Sequence, residues 1–151
     1  QRDLYNIVLD AQVACIRALK PGASVGRYRD VAVRVLSQGL IDLKLLKGSL
    51  DGVIESGAFR QFYMHGAGHW LGLDVHDAGD YKQGGQWIKL APGMVVTVEP
   101  GLYIRPAANV PKRFWDIGVR IEDDVLVTKT GTRNLTSCVK RIEDIEALMR
   151  G

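Results

Sequence analysis

His65-Gly66-Ala67-Gly68-His69-Trp70-Leu71-Gly72-Leu73-Asp74-Val75-His76-Asp77 holds all three histidines of this 151-residue chain. His65 and His69 stand at the i, i+4 spacing by which a helix offers two imidazoles to one metal ion. Gly66 and Gly68 lie between them, however, and each glycine costs a helix about 1 kcal/mol relative to alanine. No His-Glu-x-x-His sequence is present either. The stretch is therefore expected to run extended or in turns. Its glycines let the backbone pass close to a neighbour while His69, His76 or both reach one site.

Upstream of this stretch the texture is helical. Leu4, Ile7, Val8, Ala11, Ala14, Cys15 and Ala18 fall at helical spacing, and Pro21-Gly22 closes the run. A second helix is predicted from a Ser24 cap, burying Val25, Tyr28, Val31, Val35, Leu36 and Leu40, and reaching Gly39 or a little beyond. A short third helix is predicted at Leu50 to Glu55. Downstream, Met94 to Glu99 and Ile117 to Glu122 alternate with period two, and Val125 to Thr128 follows an expected tight turn at Asp123-Asp124. Ile142 to Met149 reads as a closing helix. Helices first and strands afterwards, without internal repeats, give an α+β domain rather than a doubly wound sheet.

Strand parity sorts the carboxylates. Val95, Thr97 and Glu99 share one face, and Gly118, Arg120 and Glu122 share another. Carboxylates in strands this apolar need a compensating cation, either an arginine or a metal. An Arg120–Glu122 or Arg120–Glu99 ion pair is the structural alternative to a metal site. Pro100-Gly101 is expected to end the first strand abruptly and leave Glu99 at its mouth. Carboxylates and imidazole without thiolate suit manganese, cobalt, zinc or iron(II).

Composition narrows the classes. An apolar fraction of 46% allows a core, and no apolar run approaches the ~18 residues of a membrane span. Net charge is +3, but the basic residues are scattered among acidic ones, which argues against nucleic acid. Cys15 and Cys138 lack thiolate-site spacing and read as reduced, so the expected location is cytoplasmic; Cys15 reads as a small buried hydrophobe.

Met64-His65-Gly66 through His76-Asp77-Ala78-Gly79, Pro92-Gly93-Met94 through Glu99-Pro100-Gly101-Leu102-Tyr103, and Gly118-Val119-Arg120-Ile121-Glu122-Asp123-Asp124 together resemble the aminopeptidase P (Xaa-Pro aminopeptidase) family of pita-bread metallopeptidases. Prolidase is the nearest cousin. The resemblance covers essentially the whole chain. It implies a pita-bread fold, here incomplete, with helices followed by a curved antiparallel sheet. Residues 1–151 would then be the carboxyl-terminal part of a single metallopeptidase catalytic domain, with the upstream part and an amino-terminal domain outside it.

The resemblance further implies two divalent cations, expected to be manganese, held by two aspartates, a histidine and two glutamates. His69, Glu99 and Glu122 match the last three as metal ligands. The aspartates belong upstream of the first helix in the family; Asp74, Asp77, Asp116, Asp123 and Asp124 lie in the wrong segments. The expectation is an incomplete site in this segment, inactive alone. The implied catalytic residues are Glu99, which would shuttle a proton to the leaving proline nitrogen, and His76, which would stabilise the oxyanion. His65 would contact substrate near proline, and Arg120 would orient Glu99 or Glu122. Trp70, Tyr63 and Tyr103 could line a proline pocket, although ordinary packing is the favoured role. Implied partners are peptides beginning Xaa-Pro, the upstream half of the domain and further copies of the intact enzyme. The competing functions are prolidase, which cleaves Xaa-Pro dipeptides, and a non-catalytic pita-bread peptide-binding module.

Overall fold

A computed structural model describes residues 1–151. Helix α1 (Arg2–Ala18) lies against α2 (Gly26–Asp42). In α1 the recurrence of Leu4, Val8, Ala11 and Cys15 builds the buried face. Cys15 is fully buried, as expected of a small hydrophobe.

Helix α2 differs from expectation at its start. The cap position falls on Val25, not Ser24. Ser24 Oγ nevertheless accepts the Gly26 N–H at 3.2 Å, satisfying one donor the helix start leaves orphaned. Asp42 ends the helix, a little beyond Gly39 as expected. Gly39 itself is buried within α2, where a β-carbon would stand 2.5 Å from the Ile7 side chain, so its missing side chain lets the two helices close on each other. The packing face accordingly rotates toward Ala32, Val33 and Leu36, leaving Val31 and Val35 half-buried.

Helix α3 (Leu50–Ser56) starts at Ser49, whose Oγ accepts the Gly52 N–H. A 3₁₀ turn at Ala58–Gln61 follows. The histidine stretch is then non-helical, as its glycines require, and lies along strand β3 (Val95–Val98). Thr97 N–H donates to His69 O at 2.9 Å and Glu99 N–H to Ala67 O at 2.8 Å. A β-carbon on Gly68 would stand 1.9 Å from Thr97 O, so this approach admits only glycine.

Four further strands follow β3: β4 (Gly101–Ile104), β5 (Ile117–Arg120), β6 (Asp123–Val127) and β7 (Thr132–Asn134). Two short strands, β1 (Lys82–Gln83) and β2 (Gln86–Trp87), form a separate exposed hairpin before them. Strand order is β3-β6-β7 in one sheet and β4-β5 in another, all antiparallel. Helix α4 (Ile142–Arg150) closes the chain.

β3 stops before Pro100, as expected, although β4 takes up at once at Gly101. Asp123-Asp124 was expected to turn, but both residues lie in β6. The registers explain both. Val98 stands opposite Asp123 in one sheet and Gly101 opposite Arg120 in the other, which is a single register carried across a gap. Residues 95–104 and 117–127 are therefore one long antiparallel ribbon interrupted at Glu99-Pro100 and Ile121-Glu122. Pro100 lacks a donor, yet its carbonyl still accepts the Ile121 N–H at 3.4 Å and holds the ribbon together.

One face of the ribbon, carrying Val96, Val98, Ile121, Val125 and Val127, joins the helices in a common core. Asp123 shares that buried face and is 2% exposed. Its Oδ2 accepts Asn134 Nδ2 at 2.7 Å and the Gln12 side-chain amide from α1, and Lys140 Nζ stands 2.7 Å from Oδ1. This is a compensated buried carboxylate, which is why Asp123 can sit inside a strand.

Candidate metal centre

Carrying the ribbon register through its interruption places Glu99 directly opposite Glu122, on the face that also bears Thr97 and Arg120. Like charges facing each other across an antiparallel pair destabilise it unless a cation intervenes. His69 joins them because its segment pairs with the free edge of β3. One ligand atom from each of His69, Glu99 and Glu122 lies within 4.8 Å of the others.

Glu99 is the hub, and is 9% exposed. Its Oε1 lies 3.5 Å from His69 Nε2 and accepts the Thr97 hydroxyl at 3.3 Å. Its Oε2 lies 3.4 Å from Arg120 Nη1. Of the two ion pairs considered from sequence, the Arg120–Glu99 pair is the one that forms. His69 Nδ1 is 2.8 Å from the Trp70 carbonyl, a contact that places a proton on Nδ1 and makes Nε2 the ring nitrogen that faces Glu99. The Glu122 carboxyl is held above the usual range, first by burial and then by the charges of Glu99 and Asp124, against His69 and Arg120.

His76 reaches this centre as well: its ring centroid is 4.3 Å from that of His69, inclined at 53°. His65 is connected less directly. Its Nδ1 donates to Gly66 O at 2.7 Å, leaving Nε2 to accept the Tyr103 hydroxyl at 3.0 Å. That hydroxyl in turn accepts Arg120 Nε–H at 2.7 Å. A directed chain thus runs from Arg120 through Tyr103 to His65, while another nitrogen of Arg120 holds Glu99. Burial lowers the His65 pKa, which favours the neutral ring this chain requires. Arg120 is held firmly charged: burial works against it, but the Tyr103 hydrogen bond and the carboxylates of Glu99 and Glu122 outweigh that.

Tyr63 and Trp70, 2% and 8% exposed, are packed into the core. Tyr103 is not core packing. Its place in the chain, like the Thr97 hydroxyl that also accepts the His69 N–H at 3.0 Å, was not read from the sequence. Parity from Glu99 identifies Thr97 at once; Tyr103 was hidden by the expectation that the strand stopped at Pro100. A depression of about 490 Å³ lies elsewhere, between Trp70, Asp77 and Met94, and none of the three clustered residues borders it.

The residues fit a divalent cation. Two donors bound at ~2.1 Å stand at most ~4.2 Å apart, so side chains already within 4.8 Å need only draw in by a fraction of an ångström. They fit one ion better than two, since no aspartate joins the cluster.

The sequence profile of Metallopeptidase family M24 matches residues 1–129. The chain belongs to this family. It is 55% identical to an Xaa-Pro aminopeptidase of Haemophilus influenzae over 150 residues, covering 99% of this chain and 35% of that protein. Aminopeptidase PepP of Pseudomonas aeruginosa superposes with a TM-score of 0.96 at 48% identity, covering 99% of this chain and 34% of that one. Zinc-substituted Escherichia coli aminopeptidase P in complex with product matches with a TM-score of 0.92 at 51% identity and the same coverage. The chain thus spans about a third of the length of the M24 relatives it matches. Its α+β architecture is the pita-bread fold of the family. No helix is long and apolar enough to cross a membrane.

Proposed function

We propose that residues 1–151 are the carboxyl-terminal part of the catalytic domain of an Xaa-Pro aminopeptidase, which releases the first residue from peptides with proline second. The observation that carries this reading is the forced opposition of Glu99 and Glu122 beside His69 Nε2, in a chain of family M24. His69, Glu99 and Glu122 are three of five ligands to two divalent cations, expected to be manganese. Two aspartates from the remainder of a longer polypeptide complete the set. When bound, the cations supply a hydrolytic nucleophile at neutral pH and neutralise charge on the scissile carbonyl.

This chain's own residues do the rest. Glu99 Oε1 carries a proton toward the leaving proline nitrogen, steadied by Thr97 on that oxygen and by Arg120 on Oε2. His76, its ring tilted against that of His69, donates to the oxyanion. His65 stays neutral and lines the proline side, its ring fixed at both nitrogens by Gly66 and Tyr103.

The test is hydrolysis of Ala-Pro-Leu and of Ala-Pro by full-length protein supplied with manganese, following alanine release. Cleavage of the tripeptide supports the reading, and cleavage of the dipeptide alone replaces it with prolidase. No cleavage of either, with any divalent metal, leaves the peptide-binding module.

A further inference from the structure

A second cavity, of about 290 Å³, shares His65 with the centre but holds none of its ligands; Arg29, Phe59, Arg60, Tyr63, Met64 and His65 line it. Two exposed guanidiniums border it and no acidic residue does. Neither arginine takes part in any of the chain's ion pairs. Arg29 is the fourth residue of α2, whose first turn has no acidic residue. A cation near the positive end of a helix dipole is disfavoured there, and an anion is attracted. Arg60 lies 5.9 Å above the Phe59 ring, which limits the directions its guanidinium can take. The wall toward the centre is aromatic: Tyr63 meets His65 edge-on at 5.0 Å, and the far nitrogen of His65 leads through Tyr103 and Arg120 to Glu99.

We propose that this cavity takes a carboxylate of the bound peptide, on the proline side of the cleaved bond, and pairs it with Arg29 and Arg60. The inference rests on the Xaa-Pro aminopeptidase reading, because a peptide's anions are its terminal carboxylate and its Asp or Glu side chains. Guanidinium matches carboxylate geometry with two parallel hydrogen bonds. Proline plus one extended residue spans about 7 Å, and the cavity lies on the far side of His65 from the centre, so the first residue after proline is the one assigned to it.

The test uses full-length protein and three proline-led probes, Pro-Leu, Pro-Leu-amide and Pro-Glu-amide, with affinity measured by titration calorimetry. No turnover is needed, so failure here is distinct from failure of the peptidase reading, which alanine release from Ala-Pro-Leu decides. A partly solvated charge pair predicts about 5- to 20-fold tighter binding of a carboxylate probe than of Pro-Leu-amide. Tighter Pro-Leu assigns the terminal carboxylate, and tighter Pro-Glu-amide assigns an acidic side chain. In the double variant Arg29→Gln/Arg60→Gln the ratio should fall to near one, with an unchanged melting temperature because both side chains are exposed. Equal affinities for all three probes in the wild type, no binding of any, or a ratio that survives the double substitution would overturn the proposal.

Discussion

Asp123→Ala is the substitution whose cost the structure fixes best. The carboxylate is 2% exposed and has three partners from three parts of the chain: Gln12 on α1, Asn134 on β7 and Lys140 beyond it. Losing one partner of a fully buried ion pair costs about 3–5 kcal/mol. The Lys140 side chain is 15% exposed, so part of the pair is screened and the freed ammonium can reach water. About 2–4 kcal/mol is therefore the expected loss for Asp123→Ala. For a chain of this size that lowers the melting temperature by about 5–15 °C. Lys140→Met should cost a comparable amount, because it leaves a buried anion with only two amide donors. Urea unfolding followed by tryptophan fluorescence measures both. The double variant should be less than additive by about 1–2 kcal/mol, as residues in one network are. An Asp123→Ala cost below about 1 kcal/mol, or strict additivity with Lys140→Met, would refute the argument.

The same pair predicts a pH dependence. Partial burial works against the Lys140 charge, but the hydrogen bond and charge of Asp123 outweigh it and hold its pKa above the ordinary 10.5. A group raised on folding contributes its stability in full below the unfolded value and loses it as pH climbs through the folded value. The stability gap between wild type and Lys140→Met should thus be flat from neutral pH toward 10.5 and shrink above it.

Gly68→Ala should cost more than Gly39→Ala by calorimetry: the first drives a β-carbon into the Thr97 backbone carbonyl, whereas the second meets only the Ile7 side chain, which can move for about 1–3 kcal/mol. Gly68→Ala should also lower metal affinity, since it separates the His69 segment from β3. Burial pushes the Cys15 thiol up to about 12, so a thiol reagent at pH 8 should label only the exposed Cys138 in folded protein and both cysteines in urea. Labelling of both at equal rates in folded protein would contradict the placement of Cys15. Elemental analysis should find that His69→Ala, Glu99→Gln and Glu122→Gln each lower divalent metal content of full-length protein, whereas Asp77→Asn leaves it unchanged because Asp77 lies outside the cluster.

Much of this site was legible because strand parity is a local property. Counting by twos along each strand put Glu99 with Thr97 and Glu122 with Arg120, and the glycines around His69 forbade the helix that its spacing with His65 suggests. Pro100 cannot donate and ends β3 as it reads, yet its carbonyl and the register on both sides carry the ribbon past it. The misreading came where a local preference is overruled by partners distant in sequence. Asp123-Asp124 reads as a turn until Gln12 and Lys140, respectively 111 residues before Asp123 and near the far end of the chain, supply the counter-charge and hydrogen bonds that make burial tolerable.

The consecutive acids Glu122 and Asp123 show how stability and chemistry share this ribbon. Adjacent residues on a strand face opposite sides, so one carboxylate must enter the core when the other faces His69. A slip of one residue would exchange them, sending Glu122 among the valines and Asp123 toward the centre. Side-chain length and partner position decide between the two. The buried socket formed by Gln12, Asn134 and Lys140 already holds Asp123 by both oxygens, and each of its members is fixed by a different element. Glu122 has no such socket; the side chains whose charge acts on it are Glu99, opposite it, His69, Asp124 and Arg120. The ion pair that looks purely structural is therefore what sets the register that brings Glu122 to face Glu99. Variants at Lys140, whose hydrogen bonds run to Asp123 and Cys138 rather than to the centre, should consequently weaken metal binding along with the fold.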